Sequence, residues 1–99
     1  MASTPSPAQL DLPGIDDETV PDRPWIVLVW NDPINLMSYV VFVFMRVLGF
    51  TREKATKHML DVHRVGKSVV ATESREKAEF YHQQIQSSGL TVTIERAES

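Results

Sequence analysis

Five of the six prolines (Pro5, Pro7, Pro13, Pro21 and Pro24) fall before position 25, in a stretch with few large apolar groups. Such a segment cannot bury enough surface to offset its chain entropy, so residues 1–24 are expected to form a flexible N-terminal extension. Its residues fit a solubilising leader as readily as a segment with a task. Folding is therefore left to residues 25–96, which form one domain of roughly 70 residues that buries only about 60% of its surface. With 42% hydrophobic and 23% charged residues the chain has the composition of an ordinary globular domain. A core of this size favours a shallow surface pocket over a deep catalytic cavity.

Charge is unevenly placed. Asp11, Asp16, Asp17, Glu18 and Asp22 oppose Arg23 alone before position 25, a local balance of -4, whereas nine Lys and Arg face eight Asp and Glu from Trp25 onward. A near-neutral folded part lacks the basic excess that phosphate backbones require, which argues against a nucleic-acid partner. The apolar stretch Tyr39 to Leu48 is broken by Arg46 and falls short of the ~18 residues of a membrane span, so no membrane association is expected. Met1 to Ala8 has no basic patch leading into an apolar run, so it does not read as a secretory signal. The absence of cysteine removes disulfides, thiolate nucleophiles and cysteine zinc sites, and suits a reducing, cytoplasmic location.

The folded part reads as β-α-α-β-α-β. Ile26 to Trp30 is β-branched and apolar, and Asn31-Asp32-Pro33 stops it. Met37 to Leu48 has strand propensity in Val40 to Phe44, but a run of this length closed by Gly49 predicts a helix with a glycine C-cap. Thr51 offers an N-cap to a second helix that buries Ala55, Met59 and Val62, pairs Glu53 with Lys57 and ends near His63. After Gly66, Lys67 to Ala71 predicts a short strand. Thr72 caps a third helix with Glu73 and Glu76 in its first turn and Ala78, Tyr81 and Ile85 buried. Beyond Gly89, the alternation of Leu90, Val92 and Ile94 with polar residues predicts a last strand. The class is α+β: a small single domain with helices packed on one face of a three-stranded antiparallel sheet.

Catalytic and metal patterns are missing. His58, His63 and His82 do not have the i, i+4 spacing of a helical zinc site, and there is neither a Gly-x-Ser-x-Gly elbow nor a glycine-rich phosphate loop. The chain is expected to be no enzyme and to need no cofactor or metal. What stands out is Asn31-Asp32 at a strand end and His63 at a helix end, with Met37, Val40, Met59 and Val62 between. Each also has an ordinary role open to it, as turn former, helix-terminal cation or core residue.

Trp30-Asn31-Asp32-Pro33-Ile34-Asn35-Leu36-Met37-Ser38-Tyr39-Val40 resembles the signature of ClpS adaptors, and Ala55 to Lys67, with Met59, Val62, His63 and Gly66, resembles the same family's second block. The resemblance runs over about residues 25 to 96 in the same order, and implies a fold similar to the ribosomal stalk protein's C-terminal domain. It implies an adaptor that binds proteins by an exposed large hydrophobic N-terminal residue (Phe, Tyr, Trp or Leu), the N-degron, and delivers them to an unfoldase. Asn31, Asp32 and His63 fall where the family holds the free α-amino group. Val40, Met59 and Val62 fall where it takes the first side chain, and Met37 at the gatekeeper against β-branched residues. Such chemistry is sound, because an α-ammonium entering a partly buried site needs acceptors for three N–H groups. The implied partner is the N-terminal domain of a ClpA- or ClpC-type AAA+ unfoldase, met through the start of the third helix, where Glu76 matches an acidic contact and Tyr81 replaces a basic one.

Pro33 stands where a second acid is usual, and Asn35-Leu36 replaces Thr-Pro, with Asn35 expected to cap the first helix. The competing readings are a ribosomal-stalk-like interaction module, since fold does not fix function, and a small hydrolase built on His63 and Asp32. Nothing in the sequence demands more than a monomer.

Overall fold

The strand that leads into the Asn31-Asp32 loop, β1 (Trp25–Trp30), lies in the middle of a three-stranded antiparallel sheet, with β2 (Lys67–Glu73) on one side and β3 (Thr91–Arg96) on the other. The computed structural model describes residues 24–97, so the expected N-terminal extension lies, but for Pro24, outside the described residues. A strand with ladders on both edges is best built from β-branched apolar residues, and Val27, Leu28 and Val29 are all buried. Three helices complete the order β-α-α-β-α-β: α1 (Met37–Leu48), α2 (Arg52–Val65) and α3 (Arg75–Ser87).

The ladder between β1 and β2 shifts register between Val27 and Leu28, whose partners are Ala71 and Val69. The residue skipped is Val70; Ser68 and Val70, two positions apart, are buried on one face while Lys67 and Val69 stay exposed. Ser68, the buried polar residue of this strand, shares a 2.8 Å hydrogen bond with His58 Nδ1 from α2.

The apolar run Met37–Leu48 is helical despite its strand propensity. Gly49 closes it in the left-handed region (φ 72°), its N–H bonding the Met45 carbonyl at 3.1 Å, while Val41, Val43 and Phe44 are buried. Tertiary burial of that face outweighs the local preference of β-branched residues. Phe44, fully buried, meets Phe50 edge-on with ring centroids 6.4 Å apart.

Element boundaries depart from the sequence reading in ways the sheet explains. β2 runs to Glu73 rather than Ala71, because Ile26 pairs with Thr72 and Trp25 with Glu73. Thr72 is thereby held in the ladder, and Ser74, the first residue beyond it, caps α3 by accepting from the Lys77 N–H at 3.3 Å. Glu73 is consequently a strand residue, leaving Glu76 as the acid of the first turn. Thr51 does cap α2, accepting from the Lys54 N–H at 3.1 Å, and α2 continues past His63 to Val65. The expected Glu53–Lys57 pair is not formed; ion pairs between described residues join Arg75 to Glu79 and Lys77 to Glu73. Leu90 is buried but precedes β3, which starts at Thr91.

His58 gives the fold a dependence on pH. Burial is the largest influence on its imidazole and lowers the pKa from the ordinary 6.5; Asp61 opposes the shift, and Lys54 and Lys57 add to it. An unfolded chain then binds the proton more readily, so this contribution to stability is complete above about pH 6.5 and is lost as the pH falls toward the lowered value. Urea midpoints of the wild type should drop between about pH 7.5 and about pH 5.5, and drop less in His58→Gln, which keeps a partner for Ser68. Equal slopes in the two proteins would remove His58 from the account.

Candidate functional site

β1 ends at Trp30, and the Asn31 N–H then donates to the Gly66 carbonyl at 2.9 Å. That bond sets the end of the central strand against the turn that closes α2. Gly66 makes the turn in the left-handed region (φ 106°), with its own N–H on the Val62 carbonyl at 3.0 Å. The last turn of α2, carrying Val62 and His63, is thereby brought beside Asn31 and Asp32.

A cavity of about 300 Å³ opens at this junction. Asn31, Asp32 and His63 line it together with Met37, Val40, Met59 and Val62, so the residues singled out from the sequence for one site converge on one pocket. The walls are graded. Met59 and Val62 are buried at its base and Val40 is half-buried, whereas Met37, 48% exposed, stands at the opening. Met59 and Val62 also belong to the hydrophobic core, so their ordinary structural reading and their place in the pocket hold at once. Glu76 is not part of this assembly. It sits exposed in the first turn of α3, and the turn after the far end of that helix, ~18 Å away at ~1.5 Å per residue, is the part that meets the pocket loop. Tyr81, one turn on, is half-buried against the core beneath Lys77, whose Nζ lies 5.8 Å from its ring centre.

The loop from Asn31 to Leu36 is organised around Asp32. The Asn35 N–H donates to the Asp32 carbonyl at 3.1 Å, closing a turn with Pro33 in its second position, where the fixed φ of proline is favoured. Pro33 thus has a local structural reason. One carboxylate oxygen of Asp32 accepts from the Ile34 N–H at 3.2 Å and the other from the Thr91 hydroxyl at 3.3 Å. A carboxylate has about four lone-pair sites, so acceptor capacity remains toward the cavity.

Asn35 does not cap α1, contrary to the expectation. The N-cap residue is Leu36, without a side-chain bond, because the Asn35 amide instead donates through Nδ2 to the Gly89 carbonyl at 3.1 Å. The Tyr39 hydroxyl donates to the Ser88 carbonyl beside it. Together with Thr91, these contacts strap the loop to the α3–β3 turn. Sequence reasoning missed Thr91 and Tyr39, whose partners lie 59 and 49 positions away and leave no local pattern, and it missed the place of Leu90 in the pocket.

Among the described residues no group of three or more His, Asp or Glu side chains is arranged to hold a metal ion. No helix among them is long and apolar enough to cross a membrane.

The architecture matches a solved structure, that of Agrobacterium tumefaciens ClpS2 bound to L-phenylalaninamide, with a TM-score of 0.71 over 76% of this chain and 98% of that one, at 23% identity. Two bacterial proteins named ATP-dependent Clp protease adapter protein ClpS are nearer in sequence. The one from Corynebacterium jeikeium is 46% identical over 80 residues, covering 81% of this chain and 79% of the relative. The one from Streptomyces coelicolor is 47% identical over 76 residues, covering 77% and 79%. The family model described as ATP-dependent Clp protease adaptor protein ClpS matches residues 20–93. A family match over most of the chain, relatives of this similarity and a pocket at the junction of both motifs agree: the chain belongs to the ClpS family, adaptors of the ATP-dependent Clp protease rather than catalysts.

Proposed function

We propose that this adaptor captures proteins through a free N-terminal Phe, Tyr, Trp or Leu and delivers them to a ClpA- or ClpC-type AAA+ unfoldase. The observation that carries the proposal is the grading of the cavity: an apolar base of Met59, Val62 and Val40 beneath a rim that carries Asn31, Asp32 and His63. An α-ammonium brought to that rim would keep its three N–H bonds by donating to an amide oxygen, a carboxylate and a neutral imidazole. Its side chain, directed to the base, would contribute roughly 1.5–3 kcal/mol by leaving water. Met37 at the mouth would narrow the entry and disfavour branching at Cβ. The ligand of the Agrobacterium protein, L-phenylalaninamide, has this combination of amino group and large apolar side chain, which supports the reading.

Delivery would use a different surface. Glu76 at the exposed start of α3 is the proposed contact with the N-terminal domain of the unfoldase, leaving the pocket free to hold its cargo.

Fluorescence anisotropy with three labelled peptides tests the capture step. A peptide beginning with free Phe should bind saturably, whereas its N-acetylated form and one beginning with Ile should bind at least tenfold more weakly, since each loses ~1.4 kcal/mol or more. Equal binding of the free and acetylated peptides would exclude the amino-group clamp, and equal binding of Phe and Ile would exclude the gate.

A further inference from the structure

On the outer side of α1 the residues Ser38, Val41, Phe42, Met45 and Arg46 form a stripe at helical spacing, and Arg52 from the start of α2 completes a second groove of about 390 Å³. None of these residues lines the pocket described above. Phe42 is 51% exposed, whereas Phe44 of the same helix is fully buried, and its ring stacks on the exposed Tyr39 at 6.3 Å. Arg46 and Arg52 are both exposed, and among the described residues neither guanidinium takes part in an ion pair. Several other cations of the domain are engaged, Lys54 over Phe50, Lys67 over Trp30 and Lys77 near Glu73. An apolar groove flanked by two such arginines suits an extended segment that alternates large apolar side chains with carboxylates.

The chain carries such a segment. Leu10-Asp11-Leu12-Pro13-Gly14-Ile15-Asp16-Asp17-Glu18 supplies three branched apolar side chains and four acids, and it contains no cation. The nine residue steps from Ile15 to Pro24, where the described fold begins, span up to ~30 Å when extended. A tether of that length is longer than α1 itself, ~18 Å, the helix that carries the groove.

We propose that residues 10–18 dock in cis on the Phe42 groove, Leu12 and Ile15 against Phe42 and Met45, and the acids beside Arg46 and Arg52. The occupant is this chain's own segment, and the inference is independent of what the main pocket binds. The contact is weak and reversible, being built from exposed charges and a shallow apolar surface. A partner that covers the groove therefore frees residues 10–18, and one that engages residues 10–18 uncovers the groove.

Because the full chain lacks cysteine, Ala8→Cys gives a single site for a spin label next to the segment. Amide signals of Phe42, Arg46 and Arg52 should lose most of their intensity with the oxidised label, while those of Arg64 and Lys67 keep theirs. The double variant Arg46→Glu, Arg52→Glu should restore the α1 signals, and added salt should restore them in part. Unchanged α1 signals, broadening centred elsewhere, or broadening that survives the double variant would each overturn the proposal. So would broadening in a mixture of spin-labelled chains with unlabelled isotope-enriched chains, which would assign the groove to a second copy.

Discussion

Asp32→Ala is expected to weaken capture of a free N-terminal Phe peptide by roughly 30-fold to several thousand-fold, the effect of removing one partner from a desolvated charge pair at ~2–5 kcal/mol. The carboxylate would face the incoming α-ammonium with its remaining lone pairs, but it also accepts from Ile34 and Thr91 within the protein, so loss of binding has a structural alternative. Two further variants separate the causes. Thr91→Val removes one internal bond and leaves the charge, and it should bind the peptide within about fivefold of wild type, the ~0.5–1 kcal/mol of one exposed bond. Asp32→Asn keeps an acceptor for the Ile34 N–H but loses the charge, and it should bind nearly as poorly as the alanine variant. Peptide anisotropy read beside the circular dichroism of each variant decides the matter. A folded Asp32→Ala protein with wild-type affinity would remove Asp32 from the clamp.

Phe44→Ala should be the most damaging single truncation for the fold. The ring is fully buried in α1 among the strand valines and the edge of Phe50, and deleting it leaves a cavity that a small domain cannot close. A cost of ~3–5 kcal/mol is expected, which in a domain of this size lowers the melting temperature by well over ~10 °C and consumes most of a marginal stability. Urea denaturation gives the test, provided the slope is unchanged. A loss below about 1 kcal/mol would mean that α1 repacks freely and that its burial does not fix the helix over the competing strand.

The architecture could be read from the sequence because its signals were local and agreed with one another. Ile26 to Trp30 ran into Asn31-Asp32-Pro33, Gly49 and Gly66 ended helices, and Thr51 capped one. Boundaries failed where a nonlocal partner decided them. Thr72 had the chemistry of a cap, but pairing with Ile26 keeps it in the strand, and Asn35 had the same chemistry but is drawn away by the Gly89 carbonyl. The site divides in the same way. Composition and spacing left Met59 and Val62 as core residues and Asn31 and Asp32 as turn formers, and all four also line the cavity. Only the order of the two motifs, through their family resemblance, grouped them with His63. Thr91, which holds the loop from the start of β3, belonged to neither motif, and Tyr39, although inside the first, carried no local sign of its bond to the Ser88 carbonyl.

The 2.9 Å bond from the Asn31 N–H to the Gly66 carbonyl joins the two halves of this site through backbone alone. Side-chain identity at the rim can therefore change without altering how far apart the two halves stand. On the proposed reading, folding has already assembled the backbone frame of the rim, so a bound chain end would order little beyond itself and the rim side chains. Selection among cargoes would then be free to drift at Met37, Val40 and their neighbours while the frame that presents them stays the same. On that reading, a lineage of such adaptors would explore new preferences by exchanging rim and wall side chains, with the spacing of the two halves fixed at a glycine outside the cavity lining.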